Sequence, residues 1–308
     1  MKDKRVLVAG GAGFIGSHLC RRLVRDGAEV VCVDSLITGR AENVRDLVRG
    51  FSFLQRDVSD RLDLDGRFDV VFNLASPASP IDYASHPLET LRVCSAGTLN
   101  LLEFTRRTGA VSVLASTSEV YGDPEAHPQT EAYWGHVNPV GPRSPYDEGK
   151  RFSEAAAMAY DRLKLATVRI ARIFNTYGPG MREGDGRMIP NFIGQALTGE
   201  PLTVYGDGSQ TRSLCFVSDM VEGLIALSRA PSAGPYNIGN PDERTVLEVA
   251  KLVIELTKSK SRIEFRPLPQ DDPRRRCPDI SRAKQDLRWF PRVPLREGLA
   301  TTIESFRK

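Results

Sequence analysis

Residues 5 to 19 read RVLVAGGAGFIGSHL, an apolar run that ends in glycine, passes glycines at 10, 11, 13 and 16, and continues with helical spacing. This pattern predicts a strand, a tight turn and a helix in immediate succession. Without side chains, the backbone can turn sharply, approach a pyrophosphate and pack the helix against the strand. The helix start then offers free N–H groups and a partial positive charge to phosphates. The glycines fit GxGxxG (Gly11, Gly13, Gly16) or GxxGxxG (Gly10, Gly13, Gly16), with the same physical outcome. A bare GxGxxG is often an ordinary turn; here the strand before it and the helix after it favour a dinucleotide. Asp34 ends the next apolar run, EVVCVD (29–34), at the spacing where a carboxylate accepts hydrogen bonds from an adenosine ribose. A carboxylate there repels a 2′-phosphate, so NAD is expected rather than NADP. Asp57 and Val58 follow the third run and are placed to flank adenine.

Further short apolar runs, FSFLQRD (51–57), DVVFNLA (69–75), VSVLAS (111–116) and ATVRIARIF (166–174), alternate with helical patterns. Pro87 to Arg107 reads as one long helix, and another starts near Pro145. Continuous apolar strands separated by helices predict a doubly wound parallel sheet, an α/β fold of Rossmann type, with ligands at the carboxyl ends of the strands. After residue 174 the texture changes. NTYGPGMREGDGR (175–187) reads as a loop, and later elements are shorter and richer in proline. We expect a dinucleotide-binding domain over 1–174, with 214–240 returning to it, and a smaller α/β substrate lobe over most of 175–308.

The net charge of a 308-residue chain is only +3, and its charges are interspersed. Nucleic acid and anionic membranes call for a concentrated basic face, so neither is an expected partner. No run is long enough to span a bilayer and no secretory signal pattern is present, so a cytoplasmic protein is expected. The five cysteines show no paired spacing and the four histidines no ligand spacing, so neither disulfides nor a metal are expected.

ASTSEVYGD (115–123) follows the fifth strand, at the carboxyl edge of the sheet. PRSPYDEGKR (142–151) follows, with Ser144 as a helix cap, Pro145 in the first turn, and Tyr146 and Lys150 four apart on one face. A phenol has a pKa near 10. A neighbouring ammonium and a positive nicotinamide ring favour the phenolate, making Tyr146 a base for a substrate hydroxyl, with Thr117 sharing its proton. A lone YxxxK arises often by chance; its order after a dinucleotide turn is what gives it weight.

GGAGFIGSHL, LASPASP (74–80), LASTSEVYGD, NPVGPRSPYDEGKR, RIFNTYGP (172–179), GEPLTVYGDGSQTRS (199–213) and DDPRRRCPDISRAK (271–284) together resemble the extended short-chain dehydrogenase/reductases acting on nucleotide sugars, within the NAD-dependent epimerase/dehydratases. The nearest resemblance is to the UDP-glucuronate decarboxylase branch, because Ser118-Glu119 follows Thr117 and Arg276 sits in the distal arginine run. It implies NAD held by Gly10, Gly13, Phe14, Ile15 and Gly16, by Asp34, Ser35, Thr38 and Gly39, by Asp57 and Val58, by Leu74, Ala75 and Ser76, and by Tyr146 and Lys150. It implies catalytic roles for Thr117, Ser118, Glu119, Tyr146, Lys150 and Arg276. Arg92, Thr117, Glu119, Asn175, Arg187, Tyr205, Gln210, Arg212 and Arg276 would contact UDP-glucuronate, with Tyr205 stacked on uracil and Arg212 forked on the pyrophosphate.

The implied reaction is decarboxylation to UDP-xylose through a 4-keto intermediate, with the hydride borrowed at C4 and returned. Without the resemblance, Arg274, Arg275 and Arg276 read as a solvated run paired with Asp271 and Asp272; with it, Arg276 is functional and Arg274 or Arg275 solvated. The resemblance also implies a homodimer through the helices of 87–107 and 146–164. Two departures stand out: Cys94 where the family usually has Asn, and Cys277 where a basic or polar residue is usual. Other readings are a 4-epimerase, a 4,6-dehydratase, an enzyme releasing UDP-4-keto-pentose, or a non-catalytic NAD-binding regulatory protein.

Overall fold

A computed structural model describes residues 1–268 and 274–307. Its first half alternates strand and helix: β1 (Arg5–Ala9), α1 (Phe14–Arg25), β2 (Glu29–Asp34), β3 (Phe51–Gln55), β4 (Val70–Asn73), α2 (Pro80–Ser85), α3 (Pro87–Arg92), α4 (Thr98–Thr108), β5 (Val111–Thr117), α5 (Ser144–Arg162) and β6 (Thr167–Ile173). These six strands lie in the order β6-β5-β4-β1-β2-β3, every neighbouring pair parallel. The strand order reverses between β1 and β4, where Ala9 pairs with Asn73. A crevice opens there at the carboxyl edge, as in other doubly wound sheets. Val6 to Ala9 and Val70 to Asn73 are all buried, which explains why these strands read as unbroken apolar runs.

Three local features differ from the sequence expectation. The long helix over 87–107 is interrupted: a π-helical turn, Val93–Gly97, joins α3 to α4. The extra residue per turn accommodates a crowded crossing, because a Cβ on Gly149 of α5 would lie 3.0 Å from that of Cys94. Helix α2 went unforeseen, although Ser79 caps it by accepting a hydrogen bond from the Asp82 N–H at 3.2 Å and Pro80 opens it. Finally, Ser144 is not the cap of α5 but its first residue. The cap is Arg143, whose carbonyl accepts the N–H groups of Tyr146 and Asp147, each at 3.1 Å.

The second half contains β7 (Thr176–Tyr177), α6 (Met188–Thr198), β8 (Leu202–Tyr205), β9 (Thr211–Ser213), β10 (Cys215–Phe216), α7 (Val217–Leu227), β11 (Tyr236–Ile238), β12 (Glu243–Thr245), α8 (Val246–Thr257), β13 (Ile263–Arg266), β14 (Arg275–Arg276), α9 (Ser281–Leu287) and α10 (Leu295–Phe306). Strand β11 pairs in parallel with β6 and completes a seven-stranded sheet. Helix α7 shares a core with β1, β2 and α1 through Met220, Val221 and Leu224. The remaining strands form small pieces, β10 with β7, β13 with β8, and β9 between β12 and β14. They surround a separate core of Tyr177, Phe192, Ile193, Val204, Val249, Val253 and Ile303.

Asp219 secures the chain's return to the first core. It is buried in the first turn of α7, and its Oδ2 accepts the N–H groups of Arg292 and Val293 at 2.8 and 2.9 Å. Its carbonyl accepts the Trp289 indole N–H at 3.0 Å. Asp219→Ala leaves two part-buried N–H groups without their acceptor and is expected to cost about 1–3 kcal/mol, read as a lower urea midpoint. Asp219→Asn, which keeps one carbonyl acceptor, should cost less.

Candidate active site

The crevice between the two halves is a cavity of about 810 Å³, joined to a smaller recess of about 70 Å³. Gly10, Gly13, Phe14, Ile15 and Gly16 line the larger space at the start of α1, with Thr38, Leu74 and Ser76. Two glycines are obligatory. Gly10 has φ +77°, and a Cβ on it would lie 2.7 Å from the Leu74 carbonyl oxygen; a Cβ on Gly16 would overlap the carbonyl of Gly10. The first turn of α1 therefore lies bare against the end of β4, its N–H groups without intrahelical partners. That is the cradle a dinucleotide pyrophosphate needs, and the residues present fit NAD.

The recess is lined by Asp34, Ser35, Thr38, Gly39, Asp57, Val58, Leu74, Ala75 and Ser76. Asp34 Oδ2 accepts from the Ala12 N–H and Oδ1 from the Leu36 N–H, both at 2.9 Å. Burial raises its pKa while these bonds oppose the rise. Its carboxylate thus braces the glycine turn and still has lone pairs for a ribose.

The reacting residues meet at the end of β5. The Thr117 hydroxyl accepts the Glu119 N–H at 3.2 Å and hydrogen-bonds Tyr146. The Tyr146 ring is stacked on Tyr83 of α2, centroids 5.2 Å apart and planes 10° from parallel. Lys150 Nζ lies 5.8 Å from the Tyr146 ring centroid and donates to the Ala115 carbonyl at 2.9 Å. The expectation that Lys150 and a nicotinamide ring together favour the Tyr146 phenolate concerns the NAD-bound site; the chain by itself works the other way. Burial pushes the phenol well above its ordinary value, and the Thr117 hydrogen bond only moderates this; burial also lowers the Lys150 pKa. Desolvation penalises phenolate and ammonium alike, so the chain alone keeps Tyr146 protonated.

Glu119 sits between two guanidiniums. Arg276 Nη1 pairs with its Oε1, and Arg143 Nη2 with its Oε2 at 2.6 Å. Arg276 is 3% exposed, and its Nη2 donates to the Gly122 carbonyl at 3.1 Å. Burial would raise the Glu119 pKa, but the two arginines overcome it and hold the carboxyl at about 2. Arg276 lines the cavity with its charge directed at Glu119, whereas Arg274 and Arg275 are exposed. Asp271 and Asp272 lie outside the described residues. Ser118 also lines the cavity.

On the far wall stand Asn175, Arg187, Tyr205, Gln210 and Arg212. Gln210 Nε2 donates to the Tyr205 carbonyl at 2.5 Å, so its amide is partly structural. Arg187 Nε donates to the buried Asp185 carboxylate at 2.8 Å. One expectation is overturned: Arg92 does not line the cavity. It ends α3, is exposed, and pairs with Asp60 at 3.2 Å. Cys94 is buried in that turn, 3.6 Å from the Ser76 hydroxyl. Burial raises the Cys277 thiol pKa, as suits a passive side chain.

Besides Arg40, Asp82, Arg182 and Asp185 on the cavity wall, Tyr83 and Arg143 beside the reacting group escaped the sequence reading. Tyr83 carries no motif. Arg143 stands three residues before Tyr146, a spacing that puts both on one helical face and was the available signal.

Residues 6–239 match the model of the NAD dependent epimerase/dehydratase family. A UDP-glucuronic acid decarboxylase 1 of Danio rerio is 52% identical over 307 residues, covering 99% of this chain and 73% of that protein. A UDP-glucuronic acid decarboxylase 6 of Arabidopsis thaliana is 51% identical, covering 99% and 89%. Among solved structures, a UDP-glucose 4-epimerase of Thermotoga maritima with UDP-glucose superposes with TM-score 0.90 at 30% identity, covering 98% of both chains. A dTDP-glucose 4,6-dehydratase of Streptomyces venezuelae with NAD and TYD bound gives 0.88 at 28%, covering 98% and 97%.

The Glu119 pair has a defined pH signature. Its carboxyl titrates at about 2 in the folded chain and near about 4.3 when unfolded. A lowered folded pKa stabilises fully above the unfolded value and loses that contribution as pH falls through the folded one. The stability advantage of the unsubstituted protein over Glu119→Gln should therefore shrink between about pH 4.3 and pH 2, measured by denaturant unfolding at each pH. A difference that stays constant with pH would contradict the ion pairing.

Proposed function

Because the chain belongs to the NAD dependent epimerase/dehydratase family, we propose that it converts UDP-glucuronate to UDP-xylose and CO2, with no net redox change. The observation that carries the substrate class is the charge lining the cavity. Arg40, Arg143, Lys150, Arg182, Arg187, Arg212 and Arg276 outnumber Asp82, Glu119 and Asp185. This surplus suits a ligand bearing both a pyrophosphate and a carboxylate; a neutral hexose moiety has no use for the second arginine at Glu119. The curated relatives, named for decarboxylation of UDP-glucuronic acid, support the same reading.

Bound in the glycine cradle, NAD supplies a reversible hydride acceptor for C4 and a positive charge near Tyr146. Tyr146, with Thr117, takes the C4 hydroxyl proton and later returns it; Lys150 and the Tyr83 stack hold the phenol in place. Once C4 is a ketone, the carboxylate is β to a carbonyl. The C5–C6 bond breaks, its electron pair enters an enolate, CO2 leaves, and C5 takes a proton. Glu119, Ser118 and Arg276 face the sugar ring and its carboxylate through this step. Arg212 binds the pyrophosphate and Tyr205 stacks on uracil, with Asn175, Gln210 and Arg187 beside them.

The reading includes a homodimer through α3, α4 and α5, supported by the exposed Leu88, Leu91, Leu99, Phe152 and Leu163. It also places the protein in a reducing cytoplasm, supported by five buried free thiols. No helix among the described residues is long and apolar enough to cross a membrane.

Incubation with UDP-glucuronate and catalytic NAD should release CO2 and give a UDP-pentose by mass spectrometry. Retained mass would indicate epimerisation, loss of water dehydration, and stoichiometric NADH release of a 4-keto pentose. Tyr146→Phe keeps the ring stack and should fold normally, yet lower kcat by about 10²- to 10⁴-fold. Unchanged turnover would remove Tyr146 from the reaction.

A further inference from the structure

One carboxyl group in the site has no role in the reaction above. Asp147 follows Tyr146 in the first turn of α5 and is 6% exposed. It lies behind Glu119, Arg143, Arg276 and Tyr83, which line the cavity while it does not. Its Oδ1 is fully buried and has no hydrogen-bond partner among the described residues. A bare carboxylate oxygen in such a place is costly, and the neutral acid avoids most of that cost.

Among the described residues, the charged groups that face Asp147 come from three segments: Glu119 from the turn after β5, Arg276 from β14, and Arg143 and Glu148 from the cap and first turns of α5. Tyr83 of α2 is also within electrostatic reach. The arginines favour the ionised form, and burial together with Glu119 disfavours it, so the free site is finely balanced. Burial and the Glu119 charge lift Asp147 to about 7, against the pull of the two arginines. An additional anion at the Glu119–Arg143–Arg276 group tips the balance further toward the neutral acid.

We propose that Asp147 is a positioning residue that takes up a proton as the substrate carboxylate enters, so that the negative charge gained at the Glu119–Arg143–Arg276 group is offset by the one lost at Asp147. This inference rests on the decarboxylase reading. It also fits the stoichiometry. Breaking the C5–C6 bond releases neutral CO2 and leaves its electron pair on the sugar, which takes up one proton at C5, so each turnover consumes one proton. A proton bound together with the substrate carboxylate compensates that charge from the moment of binding.

The experiment is calorimetric titration of the NAD-loaded Tyr146→Phe protein, in which turnover is strongly slowed, with UDP-glucuronate and with UDP-glucose. Buffers of different ionisation enthalpy report the protons exchanged. At pH 8, UDP-glucuronate should bring uptake of more than about half a proton per site, and UDP-glucose almost none; at pH 5.5, where Asp147 is already neutral, both should bring little. With Asp147→Asn added, the uptake at pH 8 should disappear. In the otherwise unsubstituted enzyme, KM for UDP-glucuronate should rise up to tenfold per pH unit above about 7. Asp147→Asn should flatten that rise and Asp147→Glu should restore it, which loss of structure alone would not do.

Equal proton uptake with the two ligands, or uptake that survives Asp147→Asn, overturns the role of Asp147 while leaving decarboxylation intact. Absence of UDP-glucuronate binding, together with absence of CO2 release by the unsubstituted enzyme, overturns both.

Discussion

The buried ion triad of Glu119 with Arg143 and Arg276 is the interaction on which the site depends. Its members come from three places: the turn after β5, the start of α5, and the short strand β14 far along the chain. Burying three charges is expensive, and the attraction between them repays the cost only in good geometry; removing one partner of a buried pair commonly costs about 3–5 kcal/mol. The triad therefore acts less as a source of stability than as a constraint on register. It positions the second lobe over the carboxyl edge of the sheet and sets α5, with Tyr146 and Lys150, against β5.

The same constraint shapes the chemistry. The crevice exists because the strand order reverses between β1 and β4, and the bare glycine turn lies along one of its walls. Burial there keeps Tyr146 protonated and lowers the Lys150 pKa, so a positive charge brought in from outside must shift the phenol before it can act as a base. Desolvation thus opposes ionisation of both groups in the chain by itself. Asp147 applies the same logic to the substrate carboxylate, with its ionisation set by which anions share the pocket.

Some of this was legible in the residues and some was not, for identifiable reasons. Gly10 and Gly16 were readable because each has a local requirement: a positive φ at Gly10 and the Gly10 carbonyl packed against Gly16. Tyr146 and Lys150 were readable because a helical spacing places them on one face whatever surrounds them. Arg92 was misplaced because its side chain pairs with Asp60 in solvent, a contact between segments that no local pattern encodes. Ser144 was misassigned as a cap because the backbone is already helical at Arg143, one residue earlier, where the first intrahelical bond begins. Tyr83 lay in a stretch whose helix was missed, and only packing sets its ring on Tyr146.

By itself the sequence determined the parallel doubly wound sheet, the dinucleotide turn and its preference for NAD, and the tyrosine–lysine pair, because each follows from interactions within a few residues or from the burial of whole strands. Tertiary structure alone decided which arginines meet Glu119, that Asp34 also braces the glycine turn, and that Tyr146 and Lys150 are both shifted against ionisation by burial. Those outcomes depend on distances between segments 22 to 157 residues apart and on how little water reaches them, and neither quantity is written in any local stretch of the chain.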